Sequence, residues 1–379
     1  MKRTILSPEH ITLRDTARSF FERFAVPHRA EWEAQGHVGR EIWKRAAEHG
    51  LLGLEIPEEY GGLGNQDYRF NALIIEESER TRSGVALTLQ NEIISPYLVS
   101  LGNEEQKRRL LPGMAAGEIL GSIGMSEPGA GSDLAGVRTS AVCDGDEWVI
   151  NGSKTFNSGG LLADFIIVVA RTDPSAGHKG FTLFLVETDR PGFARGKKLD
   201  KIGLRTSDTM ELFFADVRVP DGNRLGEEGR GFYALMRNLP QERLGIAIGA
   251  LVKAELAFEL TVGYATDRQA FGQSIGKFQV NRHALSEMHT KLQVARTYLD
   301  QCILGVVDKT LTAEDAAGAK WWISELAWDV VDRCVQMFGG YGYINEYEIA
   351  QIWKDARVDR IHGGTTEIMK DLNGRKLGF

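Results

Sequence analysis

The chain is short of the residues that mark several common kinds of protein. Among 379 residues there are only three cysteines, Cys143, Cys302 and Cys334, far apart and odd in number. That rules against a disulfide framework, and no CxxC or Cys/His spacing suggests zinc. Each cysteine is expected to be a small buried residue. Positive charge is in deficit: the formal net charge is −7, so no strong basic field attracts nucleic acid. Long apolar runs are missing as well. The longest, Phe165-Ile166-Ile167-Val168-Val169-Ala170, is far too short to span a bilayer. The stretch from Met1 to Pro8 lacks the apolar core of a signal peptide. A cytoplasmic protein is expected, with no membrane and no nucleic-acid partner. No Walker A pattern occurs. The nearest thing to a dinucleotide fingerprint fails, because after Gly129-x-Gly131 the third glycine position is Leu134 and a strand follows.

What is present reads as three blocks in a chain long enough for two or three packed units. Ser7-Pro8 is a helix start. Helical patterning continues through Ile42–His49, Tyr68–Ser78, Leu87–Leu101 and a helix capped by Asn103 with Gln106. Near Gly121 the pattern changes. Val137–Cys143, Glu147–Ile150, Ser153–Phe156, Asp164–Ala170, Phe181–Glu187 and Met210–Val219 read as strands. Asp144-Gly145 reads as a turn between the first two, and Asn151-Gly152 gives a strong hairpin signal between the second and third. No helix separates these strands, so an antiparallel unit is expected. From Gly231 helical periodicity returns, with one long helix expected to start at Pro240. Others cover Phe278–Leu304, Ala313–Met337 and Glu346–Val358. The expected domains are residues 1–120 (helical), 121–229 (β) and 230–379 (helical). Gly245 and Gly249 form a GxxxG, read here as close helix–helix contact.

Three stretches could carry chemistry. Leu239-Pro240-Gln241-Glu242-Arg243-Leu244 places Glu242 on the long helix. Glu242 and Arg243 point about 100° apart and are poor partners for each other. Met125-Ser126-Glu127-Pro128-Gly129-Ala130-Gly131-Ser132-Asp133 can bring backbone N–H and hydroxyl groups close to a ligand. Ile361-His362-Gly363-Gly364-Thr365-Thr366-Glu367 joins a loop to the last helix. Taken singly, each has a structural explanation: a solvated first turn complementing the helix dipole, a tight turn, and a loop-to-helix junction. His362 has the chemistry of a general base, but a histidine beside a loop is more often a hydrogen-bonded structural residue.

Taken together, these stretches resemble the acyl-CoA dehydrogenases over essentially the whole chain. Further signatures lie in the family's order: Gly50-Leu51-Leu52-Gly53 with Ile56-Pro57-Glu58 and Gly61-Gly62, Ile150-Asn151-Gly152-Ser153-Lys154 with Asn157-Ser158-Gly159, Asp267-Arg268-Gln269-Ala270-Phe271-Gly272, and Gln336-Met337-Phe338-Gly339-Gly340-Tyr341-Gly342. The resemblance implies an α+β fold: an N-terminal helical domain, a central antiparallel β domain and a C-terminal four-helix bundle. It implies FAD as cofactor and oxidation of the Cα–Cβ bond of an acyl-CoA thioester, with electrons passed to electron-transfer flavoprotein. Most members carry the catalytic glutamate in the C-terminal loop, where this chain has Gly363. The isovaleryl- and long-chain-type minority carries it on the helix, which makes Glu242 the expected base.

By the same resemblance, Met125, Ser126, Gly131, Ser132, Phe156 and Ser158 are expected around the flavin, with Phe where most members have Trp. Thr365 and Glu367 are expected to reach the FAD. Arg268, Phe271, Gln279, Gln336, Gly339 and Gly340 are expected to hold it across a subunit interface, implying a homo-oligomer, expected as a tetramer. Ser132, Arg243, Gly363, Gly364 and Arg375 are expected at the substrate, and no metal is expected. His362 replaces the usual Tyr. Arg195-Gly196-Lys197-Lys198 is expected as a solvated loop, and Ala86, Leu87 and Gln90 as the pocket floor. Three alternatives stay open: a carrier-protein-tethered acyl group, an oxygen-using flavin oxidase or monooxygenase, and a non-catalytic nucleic-acid binder, against which the acidic balance argues.

Overall fold

The computed structural model describes residues 3–379. Helices α1 (Pro8–Phe24), α2 (Arg29–Gln35), α3 (Glu41–Glu48) and α4 (Tyr68–Arg80) open the chain. A π-helical turn (Leu89–Ile94), α5 (Ser95–Leu101) and α6 (Glu104–Ala115) follow. The α1 start is capped as its sequence suggests. His10 serves as the reciprocal residue, its Nδ1 3.0 Å from the Ser7 backbone N–H. Asn103 and Gln106 form the expected capping box of α6.

The β unit contains β1 (Gly121–Gly124), β2 (Ser140–Asp144), β3 (Glu147–Ser158), β4 (Phe165–Arg171), β5 (Phe181–Glu187), β6 (Phe193–Lys198), β7 (Thr209–Pro220) and β8 (Arg224–Leu225). The spatial order is β6-β7-β3-β2-β4-β5-β8, with β1 beside β4. Alternate residues of β4 and β5 face opposite ways. Phe165, Ile167, Val169, Leu183 and Leu185 pack on Leu98, Leu110, Leu111 and Met114, while Ile166, Val168, Phe184 and Val186 pack on Trp148, Leu212 and Phe214.

Several local expectations are corrected here. The Asn151-Gly152 hairpin does not exist: β3 is one continuous strand, and the register shift between Ile150 and Gly152 marks a bulge. Gly152 adopts φ 148°, and a Cβ there would lie 2.7 Å from Thr139 Cα. The turn expected at Asp144-Gly145 does form, with Asp144 and Glu147 paired across it. The sheet is mixed, since β1 pairs parallel with β4. A long loop, 125–139, follows β1, so no tight turn forces antiparallel pairing on it. Residues 195–198 belong to edge strand β6 and are not a loop. Arg195 donates to the carbonyls of Gly160 and Ala163 at 2.9 and 2.7 Å. Cys143 is exposed, unlike Cys302 and Cys334.

The C-terminal part contains α7 (Gly231–Asp267), a short β-hairpin of β9 (Gln269–Ala270) and β10 (Gln273–Ser274), α8 (Gln279–Val307), α9 (Ala313–Phe338), α10 (Glu348–Ala356) and α11 (Thr366–Lys376). The long helix starts at Gly231 and not at Pro240, which lies inside it. An interior proline costs a helix about 3 kcal/mol. Burial of Leu235 and Leu239 on the turns before it overrides that cost. Leu244, Ala247, Ile248, Leu251 and Ala254 of α7 pack on Met288, Leu292 and Ala295 of α8 and on Ala319, Ile323, Ala327 and Val330 of α9. The GxxxG is filled by side chains, not by a neighbouring backbone. Gly245 faces Ile75 and the Glu92 carboxyl, and Gly249 faces Glu79.

Gly152→Ala tests the continuous strand. A Cβ forced against Thr139 is expected to lower stability by about 1–3 kcal/mol in chemical denaturation. A change of only a few tenths would fit an open turn instead.

Candidate active site

Glu242 lies on the fourth turn of α7, is 8% exposed, and faces the N-terminal helices. Its side-chain hydrogen bond is to Tyr97 of α5, whose hydroxyl donates to Oε1 at 3.2 Å. Burial pushes the Glu242 carboxyl up to about 7; the Tyr97 hydrogen bond and the Arg243 charge oppose that rise without cancelling it. Arg243 does not pair with Glu242. Its Nε donates to the Gly363 carbonyl at 3.1 Å, and burial lowers its pKa.

Three cationic groups fix the loop carrying Gly363. Besides Arg243, the fully buried Lys320 of α9 donates to the Gly364 carbonyl at 2.6 Å. Burial brings that ammonium down to about 8. Lys253 of α7 pairs with Asp359 at 3.0 Å, and Asp359 also meets the His362 ring at 3.3 Å. His362 is therefore a partner of a buried ion pair, as expected for a structural histidine. Gly363 has φ 66°, and a Cβ there would run into Ile246. Gly364 has φ 103° and lies against Arg243 and Met369. Glu242, Arg243, Gly363 and Gly364 thus converge. Arg375 stands apart, on the exposed end of α11, paired with Asp371 at 2.8 Å.

The loop after β1 forms a second cluster. Glu127 is tied to the buried Lys154 at 2.8 Å and accepts from the backbone of Arg138 and Thr139 at 2.7 and 2.9 Å. This anchoring leaves Met125 and Ser126 partly open and Gly131 and Ser132 exposed. A Cβ at Gly129 or Gly131 would touch nothing. Beside the loop, β3 has a second register shift between Lys154 and Asn157. There Phe156 takes φ 55° and is 70% exposed, next to exposed Ser158. An aromatic ring held bare at a strained position suits stacking on a planar ring system, and the open glycine and serine backbone beside it suits a flavin's polar edge. The loop and strand therefore fit FAD.

A third cluster lies at the end of the C-terminal bundle. Arg268, Gln336, Gly339 and Gly340 line one open recess with Tyr264 and Tyr341. Phe271, 95% exposed, lines a neighbouring one that shares Gln336. Gln279 is the exposed first residue of α8. Thr365 caps α11 and Glu367 is exposed in its first turn. The residues expected at the pocket floor lie in three settings. Ala86 is exposed, Leu87 sits in the N-terminal core, and Gln90 bonds Gly121 through both its amide atoms. Tyr97, Lys320 and the Lys154–Glu127 pair were not foreseen. Only the apolar surroundings of Lys320, in Ala316-Ala317-Gly318-Ala319-Lys320-Trp321-Trp322, signalled burial in the sequence. Among the described residues no group of His, Cys, Asp and Glu is arranged to hold a metal ion, and no helix is long and apolar enough to cross a membrane.

A carboxyl with a raised pKa binds its proton more tightly in the fold than in the unfolded chain. Stability then falls as pH rises from the unfolded value toward the folded one. For Glu242 that window runs from 4.5 to about 7. Glu242→Gln removes the penalty. The variant is expected to gain up to about 3 kcal/mol over the parent at pH 8 and under about 1 kcal/mol at pH 5. Denaturant titrations at the two pH values check this, and equal gains would show that Glu242 is not held protonated.

Comparison with known proteins establishes the family. Family models for the acyl-CoA dehydrogenase N-terminal, middle and C-terminal domains match residues 7–118, 122–217 and 229–378. The chain is 46% identical to the long-chain specific acyl-CoA dehydrogenase of Sus scrofa mitochondria, across 99% of this chain and 88% of that one. It is 37% identical to the mitochondrial isovaleryl-CoA dehydrogenase of Pongo abelii, across 98% and 89%. The crystal structure of an acyl-CoA dehydrogenase from Geobacillus kaustophilus superposes with a TM-score of 0.97 at 44% identity, covering 99% of each chain. The chain belongs to the acyl-CoA dehydrogenase family, whose members are FAD flavoproteins.

Proposed function

We propose that the protein oxidises the Cα–Cβ bond of an acyl-CoA thioester to the trans-2-enoyl product, with Glu242 as the base that removes the α proton. The observation that carries this is one carboxyl, buried and poised near neutrality, beside a loop that offers only the glycines Gly363 and Gly364 and no carboxyl of its own. Bound FAD supplies the hydride acceptor for the β hydrogen. The chain's residues do the rest. Tyr97 holds Oε1 of Glu242 and leaves the second oxygen for the proton. Arg243 and Lys320 fix the Gly363-Gly364 backbone from one side and bring positive charge near the thioester end, where an enolate-like state develops. Burial excludes water, so Glu242 is a stronger base once ionised.

FAD is assigned to Met125, Ser126, Gly131, Ser132, Phe156 and Ser158 at the ring, with Thr365 and Glu367 nearby. Arg268, Phe271, Gln279, Gln336, Gly339 and Gly340 take the remainder across a subunit contact. The exposed Phe271 and Tyr343 and the open recess at Gly339-Gly340 support a homo-oligomer, read as a tetramer. Ser132, Arg243, Gly363 and Gly364 are assigned to substrate, and Arg375, set apart on exposed α11, to its CoA end. The units divide near residues 120 and 230. Electron-transfer flavoprotein as acceptor and a cytoplasmic location belong to the same proposal.

Anaerobic titration with a panel of acyl-CoA esters, followed by the visible flavin spectrum, tests the chemistry. Bleaching by a subset is expected and defines the acyl class; no bleaching of FAD-loaded protein by any ester would refute it. Glu242→Gln is expected to keep flavin and ligand binding and to lose reduction rate by about 10²–10⁴. Near-normal reduction would end the assignment. The Tyr97 hydrogen bond favours ionised Glu242, so Tyr97→Phe is expected to move the pH midpoint of flavin reduction upward from about 7. Its rate falls at neutral pH and recovers at alkaline pH. An unmoved midpoint would show that Tyr97 only packs.

A further inference from the structure

The Gly363-Gly364 loop is braced by a charge cluster that lies outside the chemistry proposed above. Lys253 of α7 is buried about three helical turns beyond Glu242, and its Nζ lies 3.0 Å from both oxygens of Asp359. The same ammonium lies 3.7 Å from Glu79 of α4. One cation therefore serves two carboxyls. Asp355 of α10, paired with Arg82 at 3.7 Å, adds negative charge near Lys253, and Lys320 of α9 adds positive charge near Asp359. Arg243 stands on the loop's other side, at the Gly363 carbonyl. Asp359 is 2% exposed. Burial opposes its charge, yet Lys253 and His362 hold the carboxyl below its ordinary range.

His362 completes the cluster. Its Nε2 lies 3.3 Å from Asp359 Oδ1, and a carboxylate only accepts, so Nε2 is the donor. The side chain is 42% exposed, so the ring meets solvent while Asp359 stays sealed. The next two residues are glycines at φ 66° and 103°. Glycine has no strong preference of its own, so neighbours must hold the loop in shape. Histidine changes charge between pH 5 and 8, and a hydrogen bond from a cationic donor to a carboxylate is about twice as strong as a neutral one. We propose that His362 is a positioning residue: its protonated ring, held by Asp359, fixes the Gly363-Gly364 loop against α7, and the loop's hold on the thioester end of the substrate loosens as pH rises. This role deepens, and rests on, the substrate assignment of the loop made above. Its sign opposes that of the base. Glu242 ionises as pH rises through about 7, while the loop is held best below that, so affinity and turnover separate with pH.

The test is hydrogen exchange of residues 361–366 in FAD-loaded, full-length protein at pH 6 and pH 8, corrected for the intrinsic pH dependence of exchange. The parent loop is expected to exchange about threefold or more faster at pH 8, a modest factor because partial exposure screens the pair. His362→Gln keeps a neutral donor toward Asp359 and is expected to show one rate at both pH values. His362→Lys, cationic throughout, is expected to keep the slow rate at pH 8. Lys320, whose ammonium burial brings down to about 8, is the competing source of a pH effect at Gly364. A pH dependence in His362→Gln as large as the parent's would assign the effect to Lys320 and overturn the proposal, as would a parent loop with no pH dependence. In turnover with an acyl-CoA ester that bleaches the flavin, the parent's KM is expected to rise between pH 6 and pH 8 by about threefold more than that of His362→Gln, with one pH profile of kcat for both. Equal changes in KM would count against His362 in the same way. Bleaching by no ester removes the dehydrogenase chemistry, and the exchange rates still decide the role of His362.

Discussion

A carboxyl buried against an apolar helix far from any paired cation is stable chiefly as its neutral acid. Everything at the Glu242 site depends on softening that constraint without removing it. A direct ion pair with Arg243 would hold the carboxylate ionised but too weakly basic, and no partner at all would lock the proton on. The structure takes a middle course. One tyrosine hydroxyl supports the anion, and the adjacent arginine is turned away to a backbone carbonyl, acting through its field alone. Balanced in this way, the acid ionises near neutral pH, where a proton acceptor is most effective.

The loop opposite explains why the carboxyl belongs on the helix. Gly363 sits in the left-handed region with Ile246 where its side chain would be. Its carbonyl and that of Gly364 are tied to Arg243 and Lys320. A glutamate there would have to hold the left-handed backbone, and its Cβ would push Cδ1 of Ile246 aside. The loop is also braced from below by Asp359, which is shared between Lys253 and His362. Glu242, Ile246, Lys253, Lys320 and the loop thus form one mutually dependent unit across α7 and α9. Moving the carboxyl would mean rebuilding it.

Much of this was legible in the sequence. Elements with strong apolar periodicity, such as α9 and the β4 and β5 strands, fell where their patterns predicted. So did the cap residues of α1 and α6. The proposal of Glu242 as base, with Gly363 in the loop, came from the family resemblance and not from the residues alone. Tertiary packing decided the rest. Pro240 looks like a helix start, yet Leu235 and Leu239 bury deeply enough to carry the helix through it. Asn151-Gly152 looks like a turn, yet Thr139 packs so closely that glycine is required inside a bulged strand. Nothing local names the partners of Lys154 and Lys320, since Glu127 and Gly364 reach them from distant segments. Tyr97 lies 145 residues before Glu242 in the chain, so their contact leaves no local trace in the sequence at all.

The π-helical turn joins these observations. An ordinary α-helix through residues 89–94 would set Glu92 and Tyr97 at different angles to α7, because each π turn adds a residue per hydrogen-bonded ring and rotates the rest of the helix after it. With the wider turn in place, Tyr97 reaches Glu242 from one side while Glu92 rests on the bare backbone of Gly245. The same distortion therefore positions both Tyr97 against the Glu242 carboxyl and Glu92 against the α7 backbone. π turns are rare in helices and recur at functional sites. Here the irregularity does two things at once, and straightening the turn would lose both. The glycine at 245 is the counterpart on α7, since a side chain there would meet the Glu92 carboxyl and force it to shift.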